Sequence, residues 1–406
     1  MDTYATILLW VIPGFLILVL IEVLYGYYIK KQTYTLMDTI SSLSSGITNI
    51  LKDSMGIILI IISYPFLEKE IALFQLESSL TLYVIAFICI DFSSYWSHRL
   101  NHKINIFWNQ HIIHHSSEEF NLACALRQSI SNIIGYNALF LIPAAILGVP
   151  SEIIIFLSPI HLFGQFWYHT QHIGKLGFLE YIFVTPSQHR VHHAINPIYI
   201  DKNLSAIFCI WDRVFGTFQE ELDNVKPIYG TLKPVQTWNP IIINFQHFFR
   251  LAKDSWHTKK FSDKIKIWFM PTGWRPKDVE NLIKYKTQSK NQEKYYPNYT
   301  NLFKLVGVFH FLCVNTILTY FLYNFSNLQI DIKLIYTLVI FLSVFGYSSL
   351  MDKYSWAPFF EFFRSLLSLY LINSIGEITS FKLFLYIYLF TSITISFLIL
   401  KKEGSI

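Results

Sequence analysis

A chain of 406 residues that is 53% hydrophobic, 17% aromatic and only 15% charged departs from soluble proteins, which carry about a quarter charged residues. Four scattered cysteines (Cys89, Cys124, Cys209, Cys313) exclude a disulfide framework, and a net charge of +5 names no partner by itself. Long apolar runs account for the composition, so the predicted class is a polytopic membrane protein built on spanning helices.

In chain order, residues 5–28 form the first predicted span, closed by Lys30-Lys31 and too long for a signal-peptide core. A second is predicted over 47–66, with Lys52 and Asp53 at its entrance, and a third over 73–92, which delivers the chain to His98. A shorter apolar hairpin, 133–149 and 153–168, is broken at Gly148-Val149-Pro150 and either crosses or dips into the membrane. Residues 171–298 hold no long apolar run. Between Arg250 and Lys294 there are 12 Lys/Arg against 5 Asp/Glu. Such a surplus suits nucleic acid or a cytoplasmic basic loop, and the flanking spans decide for the loop, with no nucleic-acid partner. Trp256, Trp268 and Trp274 fit a segment lying at the interface.

Four more spans are predicted over 302–323, 334–350, 356–372 and 381–400. Glu361 and Arg364 in the third of these read as an inward ion pair. With the N-terminus outside, nine spans put Lys30-Lys31, the basic loop, Lys353 and Lys401-Lys402 on the cytoplasmic face of a bacterial inner membrane or an endoplasmic reticulum. Four regions follow: N-terminal spans (1–84), a histidine-rich domain (85–222), a basic cytosolic or interfacial segment (223–300) and C-terminal spans (301–400).

Three histidine boxes dominate the second region: His98-x-x-x-His102, His111-x-x-His114-His115 and His189-x-x-His192-His193. Residues at i, i+3 and i+4 share one helix face, so the boxes direct eight imidazoles toward one volume. That exceeds the four ligands of one zinc and suits a pair of first-row metals with open positions, iron first among them. A carboxylate at Asp91, two helical turns before His98, could hold the second ring nitrogen of a ligand, with Glu180 and Asp212 as alternatives. Arg127 or Arg190 could hold a lipid headgroup. His161, His247, His257 and His310 stand alone and are not predicted ligands.

The surrounding residues carry a resemblance. Asp91-x-x-x-Tyr95-Trp96-x-His98-Arg99, His111-x-x-His114-His115-Ser116-Ser117, Ala125-Leu126-Arg127-Gln128-Ser129 and Thr185-Pro186-Ser187-x-His189-Arg190-Val191-His192-His193 resemble the fatty acid hydroxylase/sterol desaturase superfamily. So do Ile200-Asp201-Lys202-Asn203 and Trp211-Asp212-Arg213-x-Phe215-Gly216-Thr217-Phe218, and the dense likeness covers about residues 85–222. Gly273-Trp274-Arg275-Pro276 and the C-terminal spans look more like the alkylglycerol monooxygenase-like branch and its bacterial sterol-desaturase relatives. The resemblance implies an all-α, polytopic membrane protein whose helical cytosolic cap carries a di-iron, O2-dependent oxygenase site, with the eight box histidines as ligands and His169 and His172 as a further pair. It also implies a lipid substrate, possibly an ether lipid, and an external electron donor of pterin or cytochrome/ferredoxin type. Lys103, Gln171 and Ser205-Ala206 depart from the animal enzymes of that branch and leave substrate and donor open. No G-x-G-x-x-G is present, so electrons must come from a partner or small reductant. The alternatives are a sterol or carotenoid desaturase or hydroxylase, and a membrane haem- or metal-binding protein without oxygenase activity.

Overall fold

The computed structural model describes residues 2–287, 293–374 and 380–403. Helices make up the architecture; the sheet among the described residues is a two-residue parallel pairing of Leu59–Ile60 with Ile134–Gly135. The apolar first helix, α1 (Asp2–Tyr28), leads to α2 (Leu36–Ser54). The next long helix, α3 (Leu80–Lys103), starts where Ser79 accepts the backbone N–H of Leu82 and ends in the first histidine box. Its apolar N-terminal two-thirds suits lipid, and its last turns carry His98 and His102 into the cap. A short helix, α4 (Ser151–Phe163), packs back along α3. The cap contains α5 (Pro186–His192), which carries the third box, and α6 (Pro240–His257).

Behind the cap stand α7 (Asn301–Asn324), α8 (Ile330–Met351), α9 (Ala357–Ser374) and α10 (Ser380–Glu403). Their core joins Met37, Ile40, Ile47 and Leu51 of α2 to Val314, Ile317 and Phe321 of α7 and Val339, Ile340 and Tyr347 of α8. A smaller core links Leu82, Ala86 and Ile90 of α3 to Ile153, Ile154 and Leu157 of α4.

Five helices among the described residues are long and apolar enough to cross a membrane: Ala5–Tyr28, Leu80–Lys103, Asn301–Asn327, Ile330–Met351 and Ser380–Lys402. The second expected span, over 47–66, is not one helix, since 47–54 are the last turns of α2. The chain turns at Gly56 (φ 64°) and re-forms a helix only at Tyr64–Ile71. The element present instead is α2, whose Ser41, Ser42, Ser44, Ser45 and Thr48 are buried against protein, which hydropathy alone cannot register. The third span begins at Leu80 rather than 73.

The hairpin over 133–168 is also shorter than expected. It consists of Asn137–Ile146 and α4, of which α4 rises about 20 Å at 1.5 Å per residue against a hydrocarbon thickness of about 30 Å. Its tip needs a glycine. Gly148 has φ 71°, and a Cβ there would lie 1.9 Å from the Phe74 carbonyl oxygen. In α9, Arg364 Nη2 donates to Glu361 Oε2 at 2.7 Å with both side chains buried, the expected ion pair.

Candidate metal centre

His98 and His102 reach the site from the last turns of α3, one turn apart on one face. The second box is not α-helical: after the short helix Asn105–Trp108 the chain passes through turns into a 3-10 turn at His114–Ser116. The compact path sends His111 and His115 to one side and His114 to the other. The third box lies on α5, whose start is fixed by Glu180. That carboxylate accepts from Ser187 Oγ (2.6 Å), Thr185 Oγ1 (3.0 Å) and the Leu176 N–H (3.0 Å).

Nine imidazoles assemble into two groups, His98, His102, His111, His115 and His192 in one and His114, His169, His189 and His193 in the other. Ligand-type nitrogens within each group lie within 4.8 Å of one another. In the second, Nε2 of His189 is 2.8 Å from that of His169 and 3.0 Å from that of His193; His114 Nε2 lies 3.1 Å from His193 and 3.4 Å from His169. Nitrogens bound at about 2.1 Å to a common ion would sit roughly 3.0 Å apart in octahedral and 3.4 Å in tetrahedral geometry, so the spacing fits a shared cation. Four neutral nitrogens in a ring carry at most two useful N–H···N bonds, leaving the other contacts lone pair to lone pair or proton to proton. In the first group, Nε2 of His102, His115 and His192 are buried without any protein partner, and His98 Nε2 lies 2.9 Å from His111 Nε2. Buried imidazole nitrogens with no hydrogen-bond partner fit metal ligands.

Burial pushes the pKa of His111, His114, His115, His189, His192 and His193 well below the ordinary value, and neighbouring imidazoles push them further. His169 falls to about 4, chiefly through burial. Neutral imidazole is the form a metal requires.

The turn at 201–204 orients the first group. Asp201 (φ 57°) and Asn203 (φ 52°) adopt the left-handed conformation that Asp and Asn tolerate best among residues with a Cβ. Three acceptors then face three rings in succession. Asp201 Oδ1 lies 3.4 Å from His102 Nδ1, the Lys202 carbonyl 3.0 Å from His192 Nδ1 and the Leu204 carbonyl 2.8 Å from His98 Nδ1. Holding Nδ1–H in this way leaves Nε2 with its lone pair toward the centre. Asp212, 1% exposed, fixes the turn by accepting the N–H of Leu204 (2.7 Å) and Ser205 (3.0 Å). The sequence reading missed Asp201 as a ring partner, although its place in Asp201-Lys202-Asn203 was a usable signal.

Several expected roles are replaced. Asp91 does not reach a ligand ring: it pairs with His161 Nε2 (2.7 Å) and accepts from Ile207 N, Phe208 N and Trp211 Nε1, because a rise of two turns carries it below the site. Glu180 and Asp212 hold backbone and hydroxyls rather than imidazoles. Arg127 is buried with Asp38, and Arg190 pairs with Glu221 (2.7 Å) and the carbonyls of Thr170 and Ile173, so neither is free for a headgroup. His172 lies outside both groups, edge-on to Tyr25 at 5.3 Å between ring centroids. The turn after His169 leads it away from His169's face, and its i+3 spacing would have mattered only in a helix. Lys103, the departure after the first box, pairs with Asp201 at 2.8 Å.

The fatty acid hydroxylase family model matches residues 83–217, which contain all ten histidines considered. Alkylglycerol monooxygenase from Homo sapiens is 40% identical over 268 residues, 65% of this chain and 59% of the relative. The Xenopus tropicalis alkylglycerol monooxygenase is 34% identical over 368 residues, 88% of this chain and 80% of the relative. An ornithine lipid hydroxylase from Rhizobium tropici is 29% identical over 135 residues, 33% of this chain and 41% of its own. No solved structure matches.

Proposed function

Because this chain belongs to the fatty acid hydroxylase family, we propose that it is an integral membrane, di-iron lipid monooxygenase that hydroxylates an ether lipid of the alkylglycerol type. The observation that carries the reading is the partition of nine imidazoles into groups of five and four at the end of an apolar helix. Iron held there would supply the O2 activation that amino-acid side chains lack. Nine ligands are proposed: His98, His102, His111, His115 and His192 around one ion, His114, His169, His189 and His193 around the other. The balance is R–H + O2 + two electrons + two protons → R–OH + H2O, so an external donor, pterin or cytochrome/ferredoxin type, is part of the proposal.

The protein's own work is orientation and exclusion of water. The 201–204 turn fixes three rings, Gln165 and Phe166 carbonyls hold His169 Nδ1, and Phe120, Trp108 and Tyr168 pack their rings against the imidazoles. A substrate with its tail in lipid and its reacting carbon near the headgroups would reach a site at this height.

Placing Lys30-Lys31 and the boxes together on the cytoplasmic face demands a crossing between α1 and α3. The helix α2 does not provide it, because Ser41 and Ser45 near its start and Lys52 near its end donate to the Trp238, Gln128 and Ser129 carbonyls of the cap, so the return to the start of α3 is left to residues 57–79. From the cap, α7 to α10 are proposed to cross four more times, which brings Lys401-Lys402 back to the same face. The hairpin at 137–163 dips in without crossing.

The test is purification with metal analysis and an O2-uptake assay on a 1-O-alkylglycerol with added reductant. About two non-haem irons per chain and substrate-dependent uptake are expected; a Soret band, or full iron without uptake on any ether lipid, overturns the reading.

A further inference from the structure

A second site of different character lies on the opposite side of α6. Ile241, Ile242, Phe245 and Phe249 of that helix and Phe345 of α8 line an open groove of about 390 Å3, with Arg250, Lys253 and Tyr285 at one end. The groove is apolar toward the bundle, because Phe345 sits on a candidate membrane span. It is basic toward the cap. Lys233 Nζ lies 5.3 Å from the centroid of the Tyr285 ring, and the Arg250 and Arg275 guanidinium carbons lie 5.6 and 4.4 Å from it.

Three cations therefore gather around one phenol ring, with Lys253 on the same groove, and their compensation is uneven. Asp254 pairs with Arg275 at 2.5 Å. Among the described residues, Lys233, Arg250 and Lys253 have no carboxylate within ion-pair distance, and Arg250 donates only to the carbonyls of Lys233 (3.3 Å) and Pro234 (3.5 Å). Lys233 and Arg250 are half-buried, whereas Lys253 is exposed, and half-buried cations are costly unless an anion neutralises them. Burial and the two nearby guanidiniums lower the Lys233 pKa to about 8, a measure of that unmet charge. Gln246 adds a buried Oε1 without a partner on the same wall.

We propose that this groove binds an anionic membrane phospholipid, its phosphate held by Arg250, Lys253 and Lys233 and one acyl chain laid along Ile242, Phe245, Phe249 and Phe345. The charge favours an anion and the apolar floor favours a tail, and a phospholipid at the interface supplies both. Bound there, the lipid would brace α6, which holds the segment between the first two boxes: His247 Nε2 meets the Asn105 carbonyl at 3.0 Å, and Asn109 Oδ1 accepts the Phe248 N–H at 2.9 Å.

The site stands independently of the reaction, and its test reads binding alone. Full-length protein in detergent is titrated with dioleoylphosphatidylglycerol or dioleoylphosphatidylcholine and its lipid adducts measured by native mass spectrometry. The wild type is expected to prefer the glycerol lipid. The R250Q/K253Q double variant should bind it roughly 10- to 30-fold more weakly, as two headgroup-directed cations are lost, with an unchanged thermal midpoint as a check on folding. K259Q/K266Q, on two exposed lysines outside the groove, should behave as wild type. Equal binding of the two lipids, unaltered affinity in R250Q/K253Q, or full displacement by millimolar inorganic phosphate would each overturn the proposal.

Discussion

Arg127 offers the sharpest test of how the second box is held. It is 1% exposed and donates to Asp38 Oδ1 (2.6 Å), Ser116 Oγ (2.6 Å) and Ser42 Oγ (2.9 Å). Asp38, 2% exposed, also accepts from Ser117 Oγ at 2.9 Å. The two serines directly follow His115, so the pair fastens the metal-binding turn to α2. Replacing Arg127 by Met keeps the stem volume but leaves a buried carboxylate with only hydroxyl donors. The loss of one partner from a buried pair costs about 3–5 kcal/mol. Removing both charges, in Asp38→Leu with Arg127→Met, should recover about 2 kcal/mol of that. Thermal midpoint and iron per chain of the detergent-purified proteins are the measurements. Both should fall in Arg127→Met, with the midpoint partly restored in the double variant. A single variant with normal midpoint and iron, or a double variant worse than the sum of its parts, would refute the reasoning.

His169→Ala should lose iron clearly, whereas His172→Ala should retain it, since only the first points into a nitrogen group; equal loss in both would return His172 to the site. Asp201→Asn should keep iron binding but weaken it by about 10-fold, the usual order for a ring-orienting partner, read by chelator competition. A reporter fusion near Asn327 should report the non-cytoplasmic face, and a cytoplasmic signal there would overturn the placing of α7 and α8. In lipid-free detergent, Lys233 has a folded pKa of about 8 against about 10.4 unfolded. The unfolded chain thus binds more protons between these values, and stability through this group rises with pH across that window. The midpoint of wild type minus Lys233→Met should climb from pH 8 to 10 and flatten on adding phosphatidylglycerol.

The boxes were legible because imidazole has few uses at such density, and spacing alone brought eight of them to one volume. What spacing could not supply was backbone path. His111 and His114 serve different groups because the backbone runs through non-helical turns before the 3-10 turn at His114–Ser116, and His172 leaves because no helix continues past His169. Asp201 acts through a left-handed turn, which periodicity does not see. The span reading failed at 47–66 for a related reason. Hydropathy scores exposure to lipid, and α2 shows its serines to protein, where Ser41 and Ser45 donate to the carbonyls of Trp238 and Gln128. The apolar residues 57–62 that inflated the score are an extended edge.

The Glu361–Arg364 pair has a consequence for biogenesis. A helix bearing a carboxylate and a guanidinium in its first two turns partitions poorly into hydrocarbon when it emerges alone. Arg364 is satisfied by Ser392 of α10 at 2.7 Å and approached by Ser343 of α8 at 3.4 Å, while Glu361 Oε1 rests over Gly346 of α8, where a Cβ would lie 2.1 Å away. The groups that make α9 tolerable in lipid therefore lie on the helix synthesised before it and on the one synthesised after it. The polar contacts of α9 are therefore complete only when α8, α9 and α10 are packed together, although Glu361 and Arg364 already pair within the helix.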